Sequence, residues 1–306
     1  MKNDNIDFSV IIPAYNAEQF ITNCLDSVKK QTYSNYEIIV VNDGSKDNTE
    51  KVLEDYRNNN QDLKLKVFTI QNGGAAKARA YAIEQASGTY IAFLDADDIW
   101  YPTKLEAVSK IYIENPDIDV VYADENQVTL DNKKIPVKCR NITEPYMDDL
   151  IINGNALSTS QTVVKKQILD KSNTLKNGKR SAEDIEQWIE LAKNGAKFFH
   201  LEEFLGEYRR NDNSLTVINP IYTMETNERL ISFYDFLDPK KYSEKRISEL
   251  KRLRIAKNEY ELARHFHIKG DFKNAKKHYY KSIKNNKGNS VKAIIGYILA
   301  FFGIIK

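Results

Sequence analysis

The sequence is poor in the residue types that most often announce a site. Cysteine occurs twice, at Cys24 and Cys139, and tryptophan twice, histidine four times and methionine three times in 306 residues. Two distant cysteines match no metal or redox spacing and build no disulfide framework, which points to a reducing compartment and leaves both as plain buried thiols. The histidines, His200, His265, His267 and His278, show no zinc or triad spacing, and His265 and His267 are expected on helix surfaces. There is no Gly-x-Gly-x-x-Gly fingerprint and no Walker loop, so dinucleotide-binding and nucleotide-hydrolysing motors are excluded on motif grounds. No apolar run reaches the roughly 20 residues that span a bilayer. The nearest, Val291 to Ile305, contains Lys292. Met1 to Asp7 is polar and acidic and no signal peptide follows, so the expected location is cytoplasmic.

What is present is an ordinary globular composition, 42% hydrophobic and 29% charged, whose net charge of +2 conceals an asymmetry. From Lys240 onward 18 Lys and Arg stand against 5 Asp and Glu, whereas residues 1 to 239 hold 27 against 38. A basic tail suits an anionic surface or a solvated helical face, and the acidic front argues against nucleic acid as a partner. The length fits a main domain with a smaller second unit, with the boundary expected at 220: residues 1–220, then a helical region 221–306.

Short β-branched or aromatic runs at Phe8–Pro13, Glu37–Asn42, Leu65–Ile70, Tyr90–Asp95 and Asp119–Ala123 read as strands. Helical spacing fills the gaps at Glu18–Gln31, Thr49–Arg57, Ala75–Gln85 and Thr103–Glu114, with Asp47 and Thr103 placed as caps. The alternation predicts an α/β fold with an open, mostly parallel sheet covered on both faces. Later come a helix from about Met147, a strand at Gln161–Lys165, a helix from Ser181 to Asn194 and a strand near Lys197–His200. In such sheets ligands sit beyond the carboxyl ends of the strands.

Three strand ends are suggestive: Ala14-Tyr15-Asn16 after Pro13, Asn42-Asp43-Gly44-Ser45 after Val41, and Asp95-Ala96-Asp97-Asp98 after Leu94. Asp95-Ala96-Asp97 sets two carboxylates two positions apart, suited to a hard divalent cation beside a diphosphate, although alone it is equally a solvated acidic turn. Asp43, in an Asp-Gly turn, is placed to accept from the imide of a uracil. Asn72-Gly73-Gly74, followed by Ala78 and Arg79, opens a helix with free backbone donors and a cation aimed at the base or phosphates.

Together these residues resemble the family-two glycosyltransferases. The resemblance runs through Ser9-Val10-Ile11-Ile12-Pro13-Ala14-Tyr15-Asn16, Cys24-Leu25-Asp26-Ser27-Val28, Gln31-Thr32-Tyr33, Glu37 to Ser45, Asn72 to Arg79, Phe93 to Asp98, and Glu183-Asp184 with Trp188, about residues 8 to 216. It implies a GT-A fold and a single, inverting transfer from a nucleotide-diphosphate sugar, a UDP-sugar, to a glycan, lipid-linked or protein-linked acceptor in surface polysaccharide or glycoconjugate synthesis. Carried over by position, Pro13, Ala14, Tyr15 and Asn16 contact the nucleoside, and Asp43 and Arg79 hold the base with Asn72 and Gly74 beside them. Asp95, with Ala96, meets the ribose or metal, and Asp97 ligates Mn2+ or Mg2+. Asp184 is the base, and Glu183 and Trp188 line the acceptor side. Ser181 to Asp184 also reads as a capping box, and the two readings are compatible. Two departures stand out. Tyr208-Arg209-Arg210-Asn211 puts Asn where the family often has a metal-binding His, leaving Arg209, Arg210 and Ser214 to meet phosphate, and Ala80 replaces a usual Asn. The Gln-x-x-Arg-Trp motif of processive members is absent. The departure at Asn211 keeps a second reading open, a nucleotide- or carbohydrate-binding protein of weak turnover using its tail as a partner platform.

In the tail, Leu262, Ala263, Phe266, Gly270, Ala275, Tyr279 and Ser282 resemble one tetratricopeptide helix pair, with Ile247–Lys257 and Ser290–Ile305 as separate covering helices. The last helix is apolar nearly all round. It reads either as an anchor on an anionic membrane, making the chain peripheral at the inner face of the plasma membrane, or as internal packing or a homodimer contact.

Overall fold

The computed structural model describes residues 6–172, 174–175, 183–210, 228–287 and 290–305. The chain divides into two compact units, Met1–Asn211 and Asp212–Lys306. Asn211 and Ser214 lie outside the described residues, as does Ser181 of the capping box.

In the first unit, β1 (Phe8–Ala14), β2 (Tyr36–Asn42), β3 (Leu65–Thr69) and β4 (Tyr90–Phe93) alternate with α1 (Ile21–Lys29), α2 (Thr49–Asn59) and α3 (Ala75–Glu84). β1 pairs in parallel with β2 and β4, and β2 with β3, so these carboxyl ends open on one edge. The runs Val10-Ile11-Ile12 and Ile38-Ile39-Val40-Val41 are buried throughout, as strands covered on both faces must be. Val10, Ile12, Ile38 and Val40 share a core with Ile21, Leu25 and Val28 of α1, while α3 packs against β1 and β2.

The second half departs from the simple alternation. After β5 (Ile99–Trp100) and α4 (Lys104–Glu114) come β6 (Val120–Val128), β7 (Lys134–Val137), α5 (Tyr146–Asn153), β8 (Thr162–Lys165), α6 (Lys166–Leu169), α7 (Glu183–Lys193) and β9 (Phe198–Arg209). The nine-stranded sheet has the order β3-β2-β1-β4-β8-β6-β9-β5, with β7 on β6. β8 enters antiparallel between β4 and β6, and β9 runs parallel to β6 through two register shifts before pairing antiparallel with β5. The two-residue β5 and the exposed β7 were not foreseen, because neither offers an apolar run long enough to read as a strand. Thr103 occupies the N-cap of α4 without a side-chain capping bond, and the N-cap of α2 is Asn48 rather than the expected Asp47, which accepts from the Thr49 N–H at 3.1 Å from one position earlier. Of the two thiols Cys24 is buried, but Cys139 is only partly so, and both are free.

The second unit is a helix hairpin with a third helix against it: α8 (Glu244–Ile268), α9 (Phe272–Asn285) and α10 (Val291–Phe301). α8 is continuous, so Ile247–Lys257 is its first half rather than a separate covering helix. Ala263, Ala275 and Tyr279 form the buried seam, and Ser282 Oγ donates to the Ala256 carbonyl at 2.7 Å. Gly296 lets α10 approach, since a Cβ there would stand 2.4 Å from the Tyr279 ring. His267 is buried rather than on the surface, because its ring nitrogens meet the Tyr279 hydroxyl at 3.0 Å and the Ile304 carbonyl at 2.7 Å.

At the amino ends of the first unit's strands Glu37 is a clamp. Its carboxylate accepts from Ser9 Oγ (2.7 Å) and from the backbone and hydroxyl of Ser87 (2.6 and 2.7 Å), and pairs with Lys66 at 2.8 Å. Burial alone would raise its pKa, but Lys66, Ser9 and Ser87 outweigh that and hold it at about 2. The depressed value makes the clamp a stabilising contribution above the usual 4.5 that is lost as pH falls through about 2. Glu37→Gln is therefore expected to lower stability at pH 7 by about 2–3 kcal/mol and to flatten its decline between those pH values, read by urea unfolding at a series of pH.

Candidate functional site

Loops after β1, β2 and β3 are stitched into one platform. The Asp43 N–H donates to the Ala14 carbonyl at 2.8 Å. Asn16 N–H donates to Ser45 Oγ at 3.0 Å, and Asn16 Oδ1 accepts from Lys46 N–H at 2.8 Å. Asn16 itself sits at φ +50°, in the left-handed region that asparagine tolerates. Gly44 is required at its turn, with φ +66° and Asn72 N only 3.0 Å from where a Cβ would stand. Tyr15 is 50% exposed above the platform, while Pro13 and Ala14 are set into it.

Asp43 is buried, and its two carboxylate oxygens accept from Gly73 N–H at 2.8 Å and Gly74 N–H at 2.7 Å. Asn72 Nδ2 donates to the Asp43 carbonyl at 2.9 Å. This corrects one expectation: the backbone donors opening α3 are not free for phosphate, because Asp43 uses two of them. Each carboxylate oxygen keeps a lone pair for a further donor.

From that helix start, α3 carries Arg79 to the end of β4. Arg79 Nη2 pairs with Asp95 Oδ1 at 2.6 Å, the guanidinium buried and the carboxylate partly open. Asp95, Asp97 and Asp98 crowd one turn, with Ala96 buried between them. Asp98 was not singled out by sequence, yet it fastens the turn: it is buried, accepts from Ser160 Oγ, and accepts from the Arg209 N–H at 3.0 Å. Ser160 Oγ in turn accepts from the Asp95 N–H at 3.0 Å. Burial, then the charges of Asp97 and Asp95, push the Asp98 pKa well up. Burial and the same three carboxylates push up that of Cys24, whose thiol lies 3.6 Å from the Asp95 carbonyl. Nothing in the sequence links Ser160 to this turn; only the antiparallel insertion of β8 brings it there.

Asp184, in the first turn of α7, reaches the same neighbourhood. Burial raises its pKa, the Ile185 N–H and Arg79 lower it, and Asp95 raises it, so the net shift is upward. Asn155 Nδ2 donates to its carboxylate at 2.9 Å. Glu183 opens α7, and its side chain lies outside the described set. Trp188 does not offer a face to an acceptor: it is 1% exposed and packs edge-on against Phe93 at 6.1 Å, because one turn further along α7 the helix faces the sheet. Two surface cavities of about 280 and 390 Å³ lie elsewhere and share no residue with this cluster.

A metal has a suitable setting here. Asp95 pairs with the Arg79 guanidinium, which also acts on Asp184, and Asp97 and Asp95 carry hard oxygen donors. Among the described residues no group of three or more His, Cys, Asp or Glu comes together as a cage.

The parallel order β3-β2-β1-β4 with helices between the strands defines an α/β class of fold. Residues 9–171 match the model of Glycosyl transferase family 2. The chain belongs to that family, and its first unit is a GT-A glycosyltransferase domain. It is 31% identical over 219 residues to the uncharacterized glycosyltransferase EpsJ of Bacillus subtilis (strain 168), covering 69% of this chain and 63% of that protein. It is 46% identical over 114 residues to the UDP-Glc:alpha-D-GlcNAc-diphosphoundecaprenol beta-1,3-glucosyltransferase WfgD of Escherichia coli, covering 37% and 43%. The chain thus spans less than two thirds of the length of these two relatives. Staphylococcus aureus TarS 1-349 in complex with UDP-GlcNAc shares the fold at a TM-score of 0.66 and 20% identity, covering 98% of this chain and 88% of that one.

The turn's dependence on Ser160 can be measured. Ser160→Ala strands the Asp95 N–H and an Asp98 oxygen, and is expected to cost about 1–3 kcal/mol in urea unfolding.

Proposed function

We propose that the chain transfers a single sugar from a UDP-sugar to a hydroxyl of a glycan, lipid-linked or protein-linked acceptor, with inversion at the anomeric carbon, in surface polysaccharide or glycoconjugate synthesis. The observation that supports this reading is the pairing of Arg79 with Asp95 at 2.6 Å in the turn after β4, a charged cluster near enough to Asp184 for both groups to act on its carboxylate. Tyr15 and the Pro13–Asn16 loop take the nucleoside. The free lone pairs of Asp43 accept from the uracil imide, while Asn72, Gly74 and Arg79 fix the geometry around it. Asp97 and Asp95 would hold Mn2+ or Mg2+, which when bound supplies positive charge beside the departing diphosphate.

In the transfer, the acceptor oxygen attacks C1 from the face opposite the diphosphate. Its proton passes to Asp184, the new C1–O bond forms, and the bond from C1 to the β-phosphate oxygen breaks with its electrons leaving on UDP. Asn155 holds the Asp184 carboxylate in register for this. A raised pKa makes Asp184 a stronger base. Names among the similar proteins support the donor class, one solved with UDP-GlcNAc and one acting from UDP-Glc on a diphosphoundecaprenol-linked sugar. Two free thiols support a cytoplasmic setting.

Asp184→Asn is expected to leave UDP binding within about twofold by calorimetry while lowering kcat about 10³-fold or more in a UDP-release assay, consistent with loss of a general base. Binding without turnover in the unaltered chain would instead favour the nucleotide-binding reading. For the unaltered enzyme, kcat/KM should fall on acidification through a pKa above the ordinary carboxylate value, because the shift at Asp184 is upward.

A further inference from the structure

The terminal helix α10 divides its residues by size. Ala293, Gly296 and Ala300 are buried, facing the hairpin. The large side chains Val291, Ile295, Ile298, Phe301 and Phe302 are exposed, and their spacing of three and four along the helix and its C-cap puts them along one stripe. Ile298 is 49% exposed and Phe302 69%. The segment past the helix is fixed as well, through the Ile304 carbonyl on His267 and a reversal at Gly303, φ +68°. This apolar stripe is therefore a formed surface.

Its charge surroundings choose among occupants. From Phe272 to Lys306 there are eight lysines and no Asp or Glu. Lys276 Nζ lies 5.4 Å from the centre of the Phe301 ring, so basic and apolar groups meet at the edge of the stripe. A second copy would bring two such lysine-rimmed faces together with no carboxylate in the segment to offset them. An anionic lipid surface satisfies both at once, headgroups meeting lysines and acyl chains meeting the stripe. The helix is 11 residues, about 16 Å, too short to span a bilayer, and no helix among the described residues is long and apolar enough to do so, so its apolar face would lie in the plane of the interface.

We propose that α10 docks the second unit on anionic phospholipid bilayers, with Ile295, Ile298, Phe301 and Phe302 entering the acyl boundary and the α9 lysines contacting phosphate. The test is sedimentation of the full chain with vesicles of phosphatidylcholine alone or with a quarter phosphatidylglycerol, with no sugar donor present, so that failure leaves the transfer reading untouched. Partitioning onto the anionic vesicles is expected to be at least about tenfold stronger than onto the zwitterionic ones and to weaken with salt. The double variant Ile298→Gln, Phe302→Gln alters only exposed positions and should keep the native circular dichroism while reducing that partitioning about tenfold. Equal partitioning of variant and unaltered chain overturns the proposal, as does indifference to headgroup charge. A lipid-free dimer that the double variant dissociates, seen by sedimentation velocity, also overturns it in favour of a second copy.

Discussion

Concentrating carboxylates at one end of a sheet is unfavourable, and the first unit is organised around making it tolerable. Asp43, Asp95, Asp97 and Asp98 follow the ends of β2 and β4, and burial first, then neighbouring carboxylates, oppose ionisation at Asp98, as burial does at Asp184. Each of the described solutions is different. Asp43 is compensated by two backbone N–H groups, Asp95 by the Arg79 guanidinium, and Asp98 by Ser160 and the Arg209 N–H with its pKa pushed up.

The same compensations tie together the elements that hold them. Asp43 links the ends of β1 and β2 to the start of α3, and α3 delivers Arg79 to β4. Ser160 links β4 to the turn before β8, and Arg209 brings the end of β9 onto Asp98. The pairing of β5 with β9, Ile99 opposite Glu207 and Trp100 opposite Gly206, closes this circuit. Gly206 is needed for it, since a Cβ there would meet the Ile99 carbonyl at 2.6 Å. Perturbing one carboxylate therefore also perturbs where the next strand ends, so substitutions here combine chemical and positional effects that are not additive.

Much of this was legible in the sequence because hydrophobic period and turn residues are local signals. The strands at Val10, Ile38, Val67 and Ala92, the helices between them, and the acidic residues at two strand ends follow from spacing alone, and several motifs in order identify the family. The rest depends on partners distant in the chain. Nothing local says that Asp43 would spend its oxygens on Gly73 and Gly74, that Ser160 would reach Asp95, or that Asn155 would reach Asp184. Trp188 was misplaced because a motif position does not specify which side of α7 faces the sheet. β5 escaped notice since two residues have no period, and α8 was split in thought at Lys257 because a repeat-like signature begins only at Leu262.

In the second unit the informative contrast is between two faces of one helix. A helix that is apolar all round is ordinarily buried all round. α10 instead assigns its small residues to the buried face, where Gly296 admits the Tyr279 ring, and its bulky ones to solvent. Small residues bring helix backbones close but bury little area, so the arrangement holds α10 against the hairpin while keeping most of its apolar surface outside. Had internal packing been the sole constraint, the large side chains would face the hairpin, where each contributes about 1.5–3 kcal/mol on burial. Their outward placement leaves that free energy available to whatever covers the face, and the lysines of α9 restrict the cover to something that tolerates concentrated positive charge.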